Sequence, residues 1–97
     1  MLALNLEPGE SLRLSHDQVN ITLTVRRVFR RYAELTLEAS PGEPPSILQL
    51  HNSRPACIPF CQGVMTHVHR LDFRTRRLRL GIAAPQSVVI QHDKNAA

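Results

Sequence analysis

The chemistry most available to this 97-residue chain is that of the guanidinium group, because Lys94 is the only lysine among its twelve basic residues. Arginine forks onto phosphate oxygens and stacks on flat rings, where lysine acts mainly as a point charge. Nine of the eleven arginines fall in two groups, Arg26-Arg27-Val28-Phe29-Arg30-Arg31 and then Arg70, Arg74, Arg76, Arg77 and Arg79. With a formal net charge of +4 and a pI near 10.0, this pattern suits contacts to a polyanion such as RNA. The same residues also fit a solvated hairpin end that keeps strand edges from aggregating.

A second set of reactive side chains is Cys57, Cys61, His67 and His69. Thiolates and imidazoles suit tetrahedral zinc, but their spacing matches no common finger, and cysteines flanking Pro59 fit packing residues better. No metal or other cofactor is expected. A cysteine nucleophile is disfavoured because no carboxylate, histidine and nucleophile order is evident, so the chain is not read as an enzyme. His16 and His51 read as surface turn and strand residues.

The elements that must carry these groups are strands. Period-two alternation dominates, which makes the chain all-β with little or no helix. Strands are expected over Leu2 to Leu4, Ser11 to Leu14, Val19 to Val28, a partner hairpin arm including Ala33, Leu35 and Leu37, then Ile47 to Leu50. Further strands are expected at Cys57 to Phe60, broken by Pro59, at Val64 to His69, Leu78 to Ile82 and Val88 to Gln91. Ser40-Pro41-Gly42-Glu43-Pro44-Pro45 reads as a linker or exposed loop, since its prolines remove donors and fix the backbone. Gly81 reads as a strand bend or close backbone approach.

Length allows one compact domain. Sliding the chain by about 45 residues, on the repeat-search argument, superposes Val19 on Val64, Leu23 on Val68, Ala33 on Leu78, Leu35 on Leu80 and Leu37 on Ile82. Ile21 against Thr66 and Val25 against Arg70 break that match. Two units, 1–46 and 47–97, are therefore expected to interlock within residues 1–97, the competing arrangement being one unit with a long insertion.

Two segments carry a resemblance to a known family. Met1-Leu2-Ala3-Leu4 with Gly9-Glu10-Ser11-Leu12 and Val19-Asn20-Ile21-Thr22-Leu23-Thr24-Val25 form one, and Arg79-Leu80-Gly81-Ile82-Ala83-Ala84-Pro85-Gln86-Ser87-Val88 the other. Together, over about half the chain, they resemble the carbon storage regulator (CsrA/RsmA) family of small bacterial RNA-binding proteins. The resemblance implies intertwined antiparallel sheets, with outer strands of one subunit pairing with central strands of another. It also implies control of translation by binding GGA motifs in messenger leaders or small RNAs, with contacts from Leu4 and Asn5 of the first strand and Gln91 and His92 of the last. This chain departs from the family where paired arginines would follow the first strand, having Leu6 and Glu7, and where the last strand would carry an arginine, having His92. Arg26, Arg27, Arg30, Arg31, Arg70, Arg74, Arg76, Arg77 and Arg79 are the residues expected to compensate, and of these Arg30, Arg31, Arg74, Arg76, Arg77 and Arg79 are the expected RNA contacts.

The alternative function is a related interaction module or antagonist that has surrendered RNA and forms mixed complexes with family members, or a homodimer. A cytoplasmic location without membrane contact is expected, because neither a spanning apolar run nor a signal-peptide pattern is present.

Overall fold

The computed structural model describes residues 2–40, 42, 44–59, 61 and 63–93. Met1, Pro41, Glu43, Phe60 and Lys94 lie outside the described residues. The fold is all-β, and no helix occurs among the described residues. Among the described residues nine strands follow in order: β1 (Leu2–Leu6), β2 (Ser11–His16), β3 (Val19–Val28), β4 (Tyr32–Ser40), β5 (Ser46–His51), β6 (Ala56–Cys57), β7 (Met65–Asp72), β8 (Arg77–Ala83) and β9 (Val89–Asp93).

They form two antiparallel sheets, a four-stranded one ordered β1-β8-β7-β6 and a five-stranded one ordered β5-β4-β3-β2-β9. Alternation explains the burial: Ile21, Leu23 and Val25 of β3, Leu35 and Leu37 of β4, and Leu78, Leu80 and Ile82 of β8 face one shared apolar cluster. At about 1.5–3 kcal/mol for each fully buried aliphatic side chain, this cluster is the principal favourable term.

Each sheet takes an outer strand from the far end of the chain. β1 pairs with β8, setting Leu2, Leu4 and Leu6 opposite Ile82, Leu80 and Leu78. β9 pairs with β2, setting Val89 and Gln91 opposite Ser15 and Arg13. β5 sits on β4 as β1 sits on β8: Leu48 and Leu50 face Leu35 and Ala33. The β3–β4 and β7–β8 pairs also correspond, down to a register break between Val25 and Arg27 in one and between Val68 and Arg70 in the other.

That correspondence revises the ungapped repeat. Ala33 and Leu35 correspond to Leu78 and Leu80 at the expected offset of 45, but Val25 and Val28 correspond to Val68 and Leu71 at an offset of 43. The second hairpin has two more residues between corresponding pairs, since Val28 faces Ala33 while Leu71 faces Leu78. At this offset Ile21 falls on Val64 and Val25 on Val68, while Leu23 now falls on the buried Thr66.

The two halves differ at one edge. β2 is flanked by β9, whereas among the described residues its counterpart β6 ends its sheet. The Ile58 N–H donates to the Val64 carbonyl at 3.1 Å, and Ala56 faces Thr66. In an antiparallel ladder the intervening residue then points its backbone groups away from β7, so positions 55, 57 and 59 face the open edge. Pro55 and Pro59 have no N–H to offer there, while the corresponding Ser11 and Ser15 lie in register with β9. Prolines on alternate positions blunt an edge against strand addition.

Two outcomes test this architecture. Leu80→Ala, at a side chain with no solvent exposure between β1 and β7, should cost about 2–5 kcal/mol in chemical denaturation. The native chain should sediment as a monomer of 10.9 kDa, and the double variant Pro55→Val, Pro59→Val should self-associate with rising concentration. A double variant that stays monomeric would remove the edge-blocking role of the prolines.

Candidate nucleic-acid interface

The register breaks act on the arginine groups first. At such a break the strand carries an extra residue, here Arg26 and His69, which sharpens the twist and re-aims the residues beyond it. The β3–β4 turn, residues 29–31, and the β7–β8 turn, residues 73–76, then meet across the two sheets. The Arg30 guanidinium lies 4.9 Å from the centre of the Phe73 ring, and that of Arg74 lies 5.8 Å from it. Both distances are within cation–π range. Beside them, Pro8, Arg26, Arg27, Phe29, Phe73 and Arg76 line a cleft of about 380 Å³. Arg26 is paired with Glu34 at 3.4 Å, but Arg27, Arg30, Arg74 and Arg76 have no carboxylate partner among the described residues.

Backbone geometry holds this tip in shape. The amides of Arg74 and Thr75 donate to Asp72 Oδ1 at 3.1 and 3.2 Å, an Asx turn. Bonds from Thr75, backbone and side chain, hold the Asp72 carboxyl below its usual range, with smaller help from the Arg74 amide and the Arg70 charge. Arg76 has φ of 58°, a left-handed conformation uncommon for arginine. Strain of this kind costs about 1–3 kcal/mol and persists where the surroundings impose it.

On the outer face of the four-stranded sheet, Asn5, Arg79 and Arg70 form a row across β1, β8 and β7. Arg79 Nη1 donates to Asn5 Oδ1 at 3.3 Å, and Arg77 Nε donates to Glu7 Oε1 at 3.0 Å. Like charges directly opposite destabilise a sheet, and Asp72, 4.0 Å from Arg70, offsets the Arg70–Arg79 pair in part.

The third basic region surrounds the end of β5. Tyr32 is stacked between Phe29, at 4.7 Å between ring centres, and His51, at 5.4 Å. Arg31, Tyr32, His51, Asn52 and Arg54 line a cleft of about 590 Å³.

The expected site residues are thus distributed. Arg30, Arg74 and Arg76 come together at the tips, with Arg77, Arg79 and Asn5 on the adjoining face and Arg31 beside β5. Leu4 is half-buried against the core. Gln91 is exposed on β9 opposite Arg13, while His92 Nε2 sits 2.7 Å from Glu10 Oε2, both side chains about 15% exposed. β1 and β9 approach where Leu2 and Ile90 share an apolar cleft with Pro85, but the Asn5 and His92 side chains turn to different partners. Sequence reasoning missed Phe29, Tyr32, His51 and Phe73; the interleaving of rings with arginines in Arg26 to Tyr32 was the available signal.

Cys57 is exposed and Cys61 buried, both as free thiols, and burial pushes the Cys61 thiol up, as fits a packing residue. Comparison with protein-family models, with curated proteins and with solved structures finds no match to this chain.

The Asx turn yields a pH dependence with a definite sign. A carboxyl held below its unfolded value adds stability that is complete above the unfolded pKa and drains away as pH falls through the folded one. The Thr75 amide resonance should therefore titrate with a midpoint below that of an unstructured aspartate. Asp72→Asn should abolish that titration; a midpoint at the usual aspartate value would show that the turn does not engage the carboxylate.

Proposed function

We propose that this protein is an RNA-binding post-transcriptional regulator, and that the arginines gathered at the two hairpin tips carry the binding. The observation behind this reading is the meeting of Arg27, Arg30, Arg74 and Arg76 around Phe29 and Phe73, without neutralising carboxylates among the described residues. Exposed guanidinium groups supply salt-dependent attraction to phosphates, and the rings offer stacking to unpaired bases. Single-stranded loops expose such bases, whereas the A-form duplex hides them in a groove side chains cannot read. The donation of β1 and β9 to the opposite halves supports the resemblance to the carbon storage regulators, in which subunits exchange outer strands. On that resemblance, the targets are GGA motifs in messenger leaders or small RNAs, read in the cytoplasm by a fused counterpart of the usual dimer.

A second reading, an interaction module or antagonist with little RNA affinity, is favoured by one observation. Around β1 and β9, where the resemblance places RNA contacts, Arg77 is tied to Glu7, Arg79 to Asn5 and His92 to Glu10.

The readings separate in a titration of a labelled GGA stem-loop at low and moderate salt. Micromolar or tighter, salt-sensitive binding is expected. The triple variant Arg30→Ala, Arg74→Ala, Arg76→Ala should lower the slope of log affinity against log salt by about 0.7–0.9 for each phosphate no longer neutralised. Its melting temperature should change little, because all three side chains are exposed and Arg76 is relieved of no favourable pairing. No binding at low salt would reject the RNA reading, and an unchanged slope would move the site away from the tips.

A further inference from the structure

The two halves build the same turn between their first and second strands and fill it with opposite charge. In the first half the Glu10 amide donates to the Glu7 carbonyl at 3.0 Å, with Gly9 at φ of 93°. In the second the Arg54 amide donates to the His51 carbonyl at 3.3 Å, with Ser53 at φ of 65°. The alignment of Leu6 with Leu50, each the last buried residue of its strand, places Glu7 on His51 and Glu10 on Arg54. The neighbours differ to match. Glu7 binds Arg77, the first residue of β8, whereas His51 stacks on Tyr32, the first residue of β4. Glu10 holds His92 of β9, whereas Arg54 stands beside an edge that no strand covers among the described residues. An acid-sealed corner in one half is therefore an open, basic and aromatic corner in the other.

The geometry points to this corner as a base-stacking platform for a single RNA strand, with the Phe29–Tyr32–His51 ladder joining it to the hairpin tips. Tyr32 is sandwiched, so the ladder has two ends: Phe29 borders the cleft of Arg26, Arg27 and Arg76, and His51 borders the cleft of Arg31 and Arg54. A base stacks on each end and guanidinium groups beside it take the flanking phosphates. The two ring steps together span at most about 10 Å, which is roughly three phosphate spacings of ~3.4 Å along a stacked strand. With a base stacked beyond each end ring, binding both ends takes about five such spacings, a strand of about six nucleotides. The proposal rests on the tips being an RNA-binding surface, and it adds the chemistry and length of the ligand.

The test uses labelled, unstructured pyrimidine RNAs of increasing length, a 2-aminopurine-substituted version, and an abasic oligonucleotide of equal charge. Affinity should step up near about six nucleotides, 2-aminopurine emission should be quenched on binding, and the abasic strand should bind more weakly. His51→Ala and Phe29→Leu should each weaken binding by about fivefold to a hundredfold with an unchanged salt slope, since stacking is worth about 1–3 kcal/mol per base. His51→Phe, which keeps a ring, should restore affinity and guards against loss through misfolding. Arg54→Ala, at an exposed side chain, should instead lower the slope by about 0.7. If the native protein binds these strands but the abasic strand binds equally well, or His51→Ala and Phe29→Leu change nothing, the platform is overturned while the tip surface stands. If the native protein binds no single strand at low salt, both fall.

Discussion

Everything in this fold depends on the first and last strands being hydrogen-bonded into sheets whose other members lie far along the chain. Without β1, the outer flank of β8 is an open edge; without β9, so is that of β2. Each would expose backbone groups and uncover one side of the common core. Leu6 and Leu78 are paired across this join, and neither retains more than 1% of its surface in solvent. The buried surface of each half is thus the inner face of the other's outer strand, and neither half presents a closed core alone. Such pairing closes very long loops before it is rewarded, which makes folding slow relative to helical domains of the same size.

The same join fixes where charge can accumulate. The β3–β4 and β7–β8 hairpins belong to different sheets, so their turns meet only because the sheets are locked face to face. Concentrating arginines there works against stability, and the structure offsets it locally. Phe73 accepts two guanidinium groups on its ring, Glu34 takes Arg26, and the Asp72 carboxylate draws in the turn amides. Arg76 is nonetheless held at positive φ, where glycine or asparagine would sit with less strain. A residue kept in a costly backbone conformation beside a charged cleft marks a place where packing alone did not choose the side chain.

How far the sequence disclosed this depends on the period of a strand. Alternation in Val19 to Val28 and in the arm through Ala33, Leu35 and Leu37 identified the long hairpin correctly, because one face is buried and the other wet. The internal repeat was visible too, but its offset for β3 and β7 was two residues out. A slip of two leaves every side chain on its original face, so hydrophobic pattern cannot detect it; a slip of one would have inverted the strand. Only the length of the turn decides, and Phe73, one of the residues between Leu71 and Leu78, puts an apolar side chain where the ungapped offset expects the counterpart of Val28. Cys57 to Phe60 was recognised as a poor strand for the right reason, since Pro59 removes a donor, yet the partner that Pro55 and Pro59 exclude could not be seen until β9 was placed on β2. Side-chain partners were the least legible: nothing in local sequence sets His92 against Glu10 or Tyr32 against His51, because those pairs depend on register between distant strands.

The departures from symmetry form one consistent set. An intermolecular dimer of identical subunits must duplicate every feature, so a charge placed at one corner appears at both. A single chain that folds as two interlocked halves is free of that constraint. Here the halves keep the same turn, the same register break and the same buried leucines, which are the features that hold the sheets together. They diverge at Glu7 against His51, Glu10 against Arg54, and at the strand that covers β2 but has no counterpart on β6 among the described residues. All of these positions lie at the rim and none in the core, so each could change at little cost to packing. The carboxylates at one rim draw Arg77 and His92 into internal pairs, and their absence at the other leaves Arg31 and Arg54 facing outward. The shared scaffold and divergent rim together give the molecule one corner whose carboxylates engage Arg77 and His92 and one corner whose arginines face outward, a polarity that a symmetric pair of subunits could not have.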